Sequence, residues 1–401
     1  MSSIDAIVGS GLCTGCGGCV AAIDTPGLAM AFDPAGFLRP TVVPLAPAQC
    51  ATLDRVCAGR ALSHDPRPAD YHPLWGPIRA LATGHATDPE VRFRGSSGGV
   101  LSALAIHLVA SGAVDFVLAT AADPDDPIGN RTAPRDDRDA ILAAAGSRYA
   151  PSAPLADLER HLAAGRRFAF IGKPCDVATL RRMATRDPRI DRLIPVMFAF
   201  FCAGVPSRRG TQAVLAALDV AKEAVARFQY RGDGWPGLTR ARRHDGSEAS
   251  MTYAESWGGI LNQHLQFRCK ICPDGTGEFA DIACADAWVG DSGYPDFSER
   301  DGRSLIVART ATGVALLAQA VAAGTVATEA LDVREIARMQ PYQATRKRNA
   351  LVRSVALWAA RGRGPRFARL ALLRLTLSTS PLELVRNLIG TFRRARRGQP
   401  G

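Results

Sequence analysis

Two groups of cysteines, one near the start of the chain and one about two thirds of the way along it, constrain it more than any other feature. Cys13-Thr14-Gly15-Cys16-Gly17-Gly18-Cys19 sets three thiols at a spacing of three, and Cys269-Lys270-Ile271-Cys272 adds a second close pair far downstream. A single Cys-x-x-Cys holds zinc, runs redox chemistry or means nothing. Cys-x-x-Cys-x-x-Cys is more specific, because it gathers three thiolates around one small centre. The intervening glycines free the loop to wrap that centre, as bacterial ferredoxins wrap a [4Fe-4S] cluster. Two cysteine nests in one chain point to electron transfer.

A cubane needs four ligands. In the bacterial ferredoxin run the fourth would fall at position 23, followed by proline; here those places hold Ile23 and Asp24. Cys57, in Val56-Cys57-Ala58-Gly59, is the preferred fourth ligand, ahead of Cys50. A non-cysteine ligand, structural zinc and a vestigial loop are the alternatives. The pair Cys269 and Cys272 needs thiols distant in sequence, and topology selects them. Phe168–Ile171 and Val196–Phe201 read as short buried strands, the first followed by a helix from about Asp176. Cys175 and Cys202 lie just past their ends. Strands alternating with helices imply a mostly parallel sheet, whose strand ends share one ligand-gathering edge. Cys175, Cys202, Cys269 and Cys272 are therefore the expected second ligand set. Cys284, with apolar flanks, reads more readily as a small core residue.

The fold expected is α/β: a mostly parallel or mixed sheet flanked by helices. Val114–Thr120 and Ser304–Ala308 are further strands, Val100–Ala110 and Thr312–Ala323 helices, and Leu238–Tyr253 a hairpin turning at Asp245-Gly246. The expected organisation is a degenerate ferredoxin-like iron–sulfur segment over 1–62 and a Pro-rich linker over 63–77. A flavin- and cluster-binding α/β domain over 78–310 and a helical, basic C-terminal region over 311–401 complete it.

Of the 401 residues 22% are charged, with a net charge of +11, and ten cysteines are too few for a disulfide scaffold. Neither a signal peptide nor a run of the ~20 apolar residues that span a bilayer is visible, so a cytoplasmic location is expected. The positive charge invites a nucleic-acid reading. It is concentrated, however, from Arg361 onward, where ten arginines accompany one acidic residue, Glu383. A zinc-stabilised nucleic-acid-binding protein is thus the weakest class, and no nucleic-acid partner is expected. Ser380-Pro381-Leu382-Glu383 reads as a capping box opening an amphipathic helix. Its stripe of Leu382, Val385, Leu388, Ile389 and Phe392 either packs on the body or meets an anionic membrane surface as a peripheral contact.

Gly95-Ser96-Ser97-Gly98-Gly99 before a helix is a candidate phosphate cradle or a plain capping loop. Ser147, Arg148, Tyr149, Gly172 and Lys173 add the hydroxyl, glycine and cationic groups that a dinucleotide pyrophosphate takes, and Asp274 is grouped with them. No G-x-G-x-x-G follows the first strand, so an ordinary nicotinamide site is not supported. Asp274, Asp176, His264 and Tyr253 are proton-donor candidates that no spacing separates.

In this order, Cys13-x-x-Cys16-x-x-Cys19, Ser96-Ser97-Gly98-Gly99, Gly172-Lys173-Pro174-Cys175, Phe201-Cys202-x-Gly204, Cys269-x-x-Cys272-x-Asp274, Glu278-x-Ala280-Asp281 and Asp286-x-Trp288 are specific. The chain resembles the coenzyme F420 hydrogenase/dehydrogenase beta-subunit family over the N-terminal loop and most of Trp75 to Asp291. The resemblance implies FAD beside one or two [4Fe-4S] clusters. It implies a ferredoxin-like or deazaflavin donor and reduction of a CH or C=C group on a small-molecule substrate; relatives reduce chlorophyll precursors with reduced ferredoxin. A non-catalytic electron-transfer subunit of a larger complex is the alternative. The chain departs from the family pattern in lacking the usual fourth N-terminal cysteine and in carrying Cys284-Ala285 before Asp286.

Overall fold

The computed structural model describes residues 3–290 and 295–397; Asp291, the far end of the resembling stretch, lies outside them. Strands β1 (Ala80–Ala86), β2 (Phe116–Asp123), β3 (Asp126–Arg135), β4 (Phe168–Gly172) and β5 (Met197–Phe200) belong to the main sheet. Strands β6 (Val225–Gln229), β7 (Thr239–Arg243) and β8 (Glu248–Met251) make a separate three-stranded antiparallel sheet. Strands β9 (Ile282–Asp286), β10 (Ser304–Ala308) and β11 (Val326–Ala330) complete the main sheet, whose eight strands run β11-β1-β10-β9-β5-β4-β2-β3.

The four central strands are parallel and the margins antiparallel. The sequence accounts for this. Phe168, Phe170, Met197 and Ala283 face one apolar layer, and Ala169, Phe198, Ile282 and Cys284 the other. Strands buried on both faces read as unbroken apolar runs. Helices Val100–Ala110 and Ala311–Ala322 cover one face through Leu104, Leu316 and Leu317. Helix Pro174–Ala184 covers the other through Val177, Leu180 and Met183. The expected mixed α/β sheet is the observed one, although β11 carries it past residue 310.

Three local expectations change. The helix expected from Asp176 starts at Pro174, because proline suits the first helical position and the Asp176 carboxylate accepts the Lys173 backbone N–H at 2.9 Å. Cys175 therefore stands in a first helical turn and not in a loop. The stretch 63–77 is packed, not an open linker: Trp75 is 1% exposed, and Arg309 donates to the Trp75 and Pro77 carbonyls at 2.6 and 2.8 Å. Ser380 makes no side-chain cap, because Glu383 accepts instead from Asn349 Nδ2 at 2.6 Å.

Candidate metal and cofactor centre

The N-terminal loop lies against helix Pro174–Ala184, with Cys16 Sγ 3.7 Å from Thr179 Oγ1. Its thiols accept local amides, Gly15 N–H to Cys13 at 3.4 Å and Gly18 N–H to Cys16 at 3.5 Å. Burial first, then the facing thiols of Cys16, Cys13 and Cys57, pushes the Cys19 thiol well up. Burial, with Cys16 and Cys13, pushes Cys57 to about 12. Cys13, Cys19 and Cys57 share one apolar cluster, and Cys16 lies near enough to raise the Cys19 and Cys57 thiols. Cys50 is elsewhere, its thiol directed at the Leu45 carbonyl.

The second nest forms at the carboxyl edge of the parallel strands. A cavity of about 20 Å³ is lined by all four thiols, Cys175, Cys202, Cys269 and Cys272, with Thr14, Arg268 and Asp274. Burial raises Cys175, Cys202 and Cys272; nearby cations oppose it, Lys173 for Cys175, Arg346 for Cys202 and Arg268 for Cys272. Such a thiol nest, ringed by cations, favours an anionic occupant. Among the described residues no group of three or more His, Cys, Asp or Glu is arranged to hold a single metal ion. Four thiols at each nest are the donor type and number that a [4Fe-4S] cluster takes.

Gln266 and Arg268 connect the nests. Gln266 Nε2 donates to the Thr14 carbonyl at 3.2 Å and to Cys269 Sγ at 3.4 Å. Arg268, 1% exposed, donates to the carbonyl of Gly59 at 2.8 Å, two residues from Cys57. Neither was signalled by sequence spacing, since a glutamine and an arginine near a cysteine are common.

Beside the second nest the same edge gathers the glycine loop. Gly98 is held where a Cβ would lie 2.7 Å from the Gly84 carbonyl and 2.8 Å from Ser304 N, and Gly99 adopts a φ of +71°. Ser97 Oγ donates to the Arg303 carbonyl at 2.9 Å and Gly98 N–H to Ser304 Oγ at 3.0 Å. Those groups are engaged in fastening the loop to β10. Ser96 Oγ meets Ser147 Oγ at 2.7 Å.

Arg148 turns inward: its guanidinium donates to Asn130 Oδ1 and to the Phe228 and Gly129 carbonyls at 2.7–2.8 Å. Its donors are thus directed to the protein. Arg231, absent from the sequence-derived set, is also held by the protein, its Nε donating to the Pro236 carbonyl at 2.8 Å and Nη2 to the Ser96 carbonyl. It is 3% exposed, pairs with Asp286 at 2.9 Å, donates to Tyr149 OH at 3.3 Å, and lies over the rings of Tyr253 and Trp288. Trp235 stacks on Trp288 and donates to Asp286 at 2.7 Å. The run Gly232-Asp233-Gly234-Trp235-Pro236-Gly237, with three glycines at positive φ, was the overlooked signal. A cleft of about 70 Å³, lined by Ser147, Arg148, Arg227, Arg231 and Arg94, opens next to it.

Gly172 is pinned by packing, its Cβ position 2.5 Å from the Phe170 ring. Lys173 Nζ donates to Ser152 Oγ at 3.0 Å and pairs with Asp176 at 2.7 Å. Asp274 Oδ1 accepts the amides of Thr276, Gly277 and Glu278, leaving Oδ2 buried without a partner. Cys284 belongs to the core, 5% exposed, and burial pushes its thiol to about 12.

A parallel-centred sheet with paired thiol nests, one at its carboxyl edge, defines an iron–sulfur redox protein. The sequence models for the N terminus and C terminus of the coenzyme F420 hydrogenase/dehydrogenase beta subunit match residues 81–159 and 165–334, together over half of the chain. The chain belongs to the coenzyme F420 hydrogenase/dehydrogenase beta-subunit family. The N-terminal nest lies outside both matched stretches. A coenzyme F420 hydrogenase subunit beta from Methanococcus voltae is 28% identical over 277 residues, 64% of this chain and 86% of the relative. The F420-reducing [NiFe] hydrogenase complex from Methanosarcina barkeri contains a chain similar in fold. Its TM-score is 0.56 at 19% identity, covering 74% of this chain and 98% of that one. Among the described residues no helix is long and apolar enough to cross a membrane.

Proposed function

We propose that this chain is an iron–sulfur flavin-dependent oxidoreductase that takes electrons from a ferredoxin-like or deazaflavin donor and passes them to a C=C group of a small molecule, which becomes CH–CH. The observation that carries the reading is the distribution of thiols: eight of the ten cysteines of the sequence form two four-thiol nests. Cys13, Cys16, Cys19 and Cys57 would hold one [4Fe-4S] cluster, and Cys175, Cys202, Cys269 and Cys272 the other. Ser96 and Ser147, with the buried positive charge of Arg231 and the aromatic faces of Tyr253 and Trp288, supply hydroxyls, charge and stacking surfaces suited to FAD. When bound, the clusters carry single electrons and the flavin pairs them for hydride delivery.

The protein's own groups set the surroundings of that chemistry. Lys173, Arg268 and Arg346 offset negative charge at the second nest, and desolvation makes each cation count for more than it would in water. Gln266 fixes the Cys269 sulfur relative to the N-terminal loop and gives a short bonded path between nests. Asp286 orients Arg231, so that the guanidinium remains charged despite burial.

The alternative is an electron-transfer subunit that turns over nothing alone, and the Methanococcus voltae relative is itself a subunit. Reduction of the isolated chain with a chemical reductant, followed by addition of conjugated alkenes, separates the two. Reoxidation with product formation supports the enzyme. Stable reduction without product, reversed only by a redox protein, supports the subunit. A chain that binds neither flavin nor iron refutes both.

A further inference from the structure

The C-terminal helix Pro381–Arg396 is mounted with an apolar sector outward. Its contact with helix Ala350–Arg361 mixes polar, small and apolar groups, with Ala395 packed in one cluster with Leu357 and with Leu384 and Leu388 half-buried on the same side. Asn349 donates to Glu383, Arg353 donates to Asn387 Oδ1 at 2.7 and 2.9 Å, and Arg361 donates to the Ala395 carbonyl at 2.9 and 3.0 Å. Thr391 is 1% exposed and Ala395 3%. Leu382, Val385 and Ile389, by contrast, are 59%, 50% and 44% exposed. At 100° per residue these three share one sector, and the exposed Arg386, Arg393 and Arg397 form a column along its edge. Leu384 and Leu388 already face the body, so Leu382, Val385 and Ile389 form a second apolar sector that closing the core does not require.

We infer that this helix docks the protein on an anionic lipid surface, with Leu382, Val385 and Ile389 below the headgroups and the arginine column among the phosphates. Charge selects the occupant. From Arg361 onward there are ten arginines against one glutamate, and that glutamate is committed to Asn349. A second copy of the chain would bring like-charged columns together, whereas an acidic lipid surface complements both the arginines and the apolar sector. The preceding helix, Leu372–Leu377, ends four positions before Pro381 and adds Leu373 and Leu377, 65% and 79% exposed. The placement does not depend on the redox reading.

The test is co-sedimentation of the full chain with phosphatidylcholine vesicles, with and without phosphatidylglycerol. Binding is expected only with phosphatidylglycerol. Each arginine near the surface contributes about five-fold in partitioning, so Arg386→Gln with Arg393→Gln lowers it about 25-fold. Replacing Leu382, Val385 and Ile389 together by serine abolishes binding while circular dichroism and iron content stay unchanged. Four results overturn the inference: no sedimentation with anionic vesicles, equal sedimentation with neutral ones, full binding by the serine variant, or loss in that variant of a protein–protein association instead.

Discussion

Glu278 offers a quantitative test of how the packed stretch 63–77 is held against the second nest. Its side chain is wholly buried and gathers three partners. His64 Nε2 lies 3.0 Å from Oε2, Tyr71 OH donates to Oε2 at 2.7 Å, and the Lys347 ammonium contacts Oε1. Burial alone would raise the carboxyl; the Lys347 charge and the His64 hydrogen bond override it and hold it at about 2, against 4.5 for a free glutamate. A depressed folded pKa means that the stabilisation is present above the unfolded value and is lost as pH falls through the folded one. The difference corresponds to about 3 kcal/mol, all of it available at pH 7 and removed between about pH 5 and 2. Glu278→Gln leaves Lys347 buried without its counter-charge, which costs about 3–5 kcal/mol on independent grounds. Urea unfolding followed by circular dichroism at pH 7, 5 and 3 measures both quantities. The variant should be less stable at pH 7 by that amount, and the gap should narrow as pH falls. A loss below about 1 kcal/mol at pH 7, or an unchanged gap at pH 3, refutes the reasoning.

Other outcomes follow from the same geometry. Cys57→Ala should lower bound iron by about half while Cys50→Ala leaves it unchanged, measured by iron analysis after anaerobic reconstitution; equal effects would remove Cys57 from the N-terminal set. Cys284→Ala should retain all iron and lower stability by no more than about 1–2 kcal/mol, as expected for a small buried residue; iron loss would make it a ligand. Arg231→Gln should reduce bound flavin with iron retained, read from the flavin-to-iron ratio, and an unchanged ratio would separate Arg231 from the flavin.

Much of this was legible because it depends on local pattern. The apolar runs around Phe168 and Phe198 read as parallel strands, and their ends put Cys175 and Cys202 on one edge, where both line the second nest. Cys57 was approachable from the residues around it. Arg231 was not, since its importance comes from long-range pairing with Asp286 and from rings contributed by Tyr253 and Trp288. Arg148 shows the converse: a motif neighbour of suitable chemistry whose donors are satisfied by Asn130 and backbone carbonyls. The linker expected from Pro66, Pro68 and Pro73 failed for a related reason. Composition registers prolines, but not the Glu278 and Arg309 that bind the segment down from far along the chain. The outward apolar sector of the last helix was equally hidden, because periodicity identifies a stripe without saying which way it faces.

The central claim is that each nest grips a four-iron cluster. Iron, sulfide and zinc counted on the anaerobically reconstituted chain, beside its Cys272→Ser variant, test it most directly. The account predicts about eight iron and eight sulfide per chain, no stoichiometric zinc, and about half that iron in the variant. Stoichiometric zinc without sulfide, or iron content indifferent to Cys272, would contradict it.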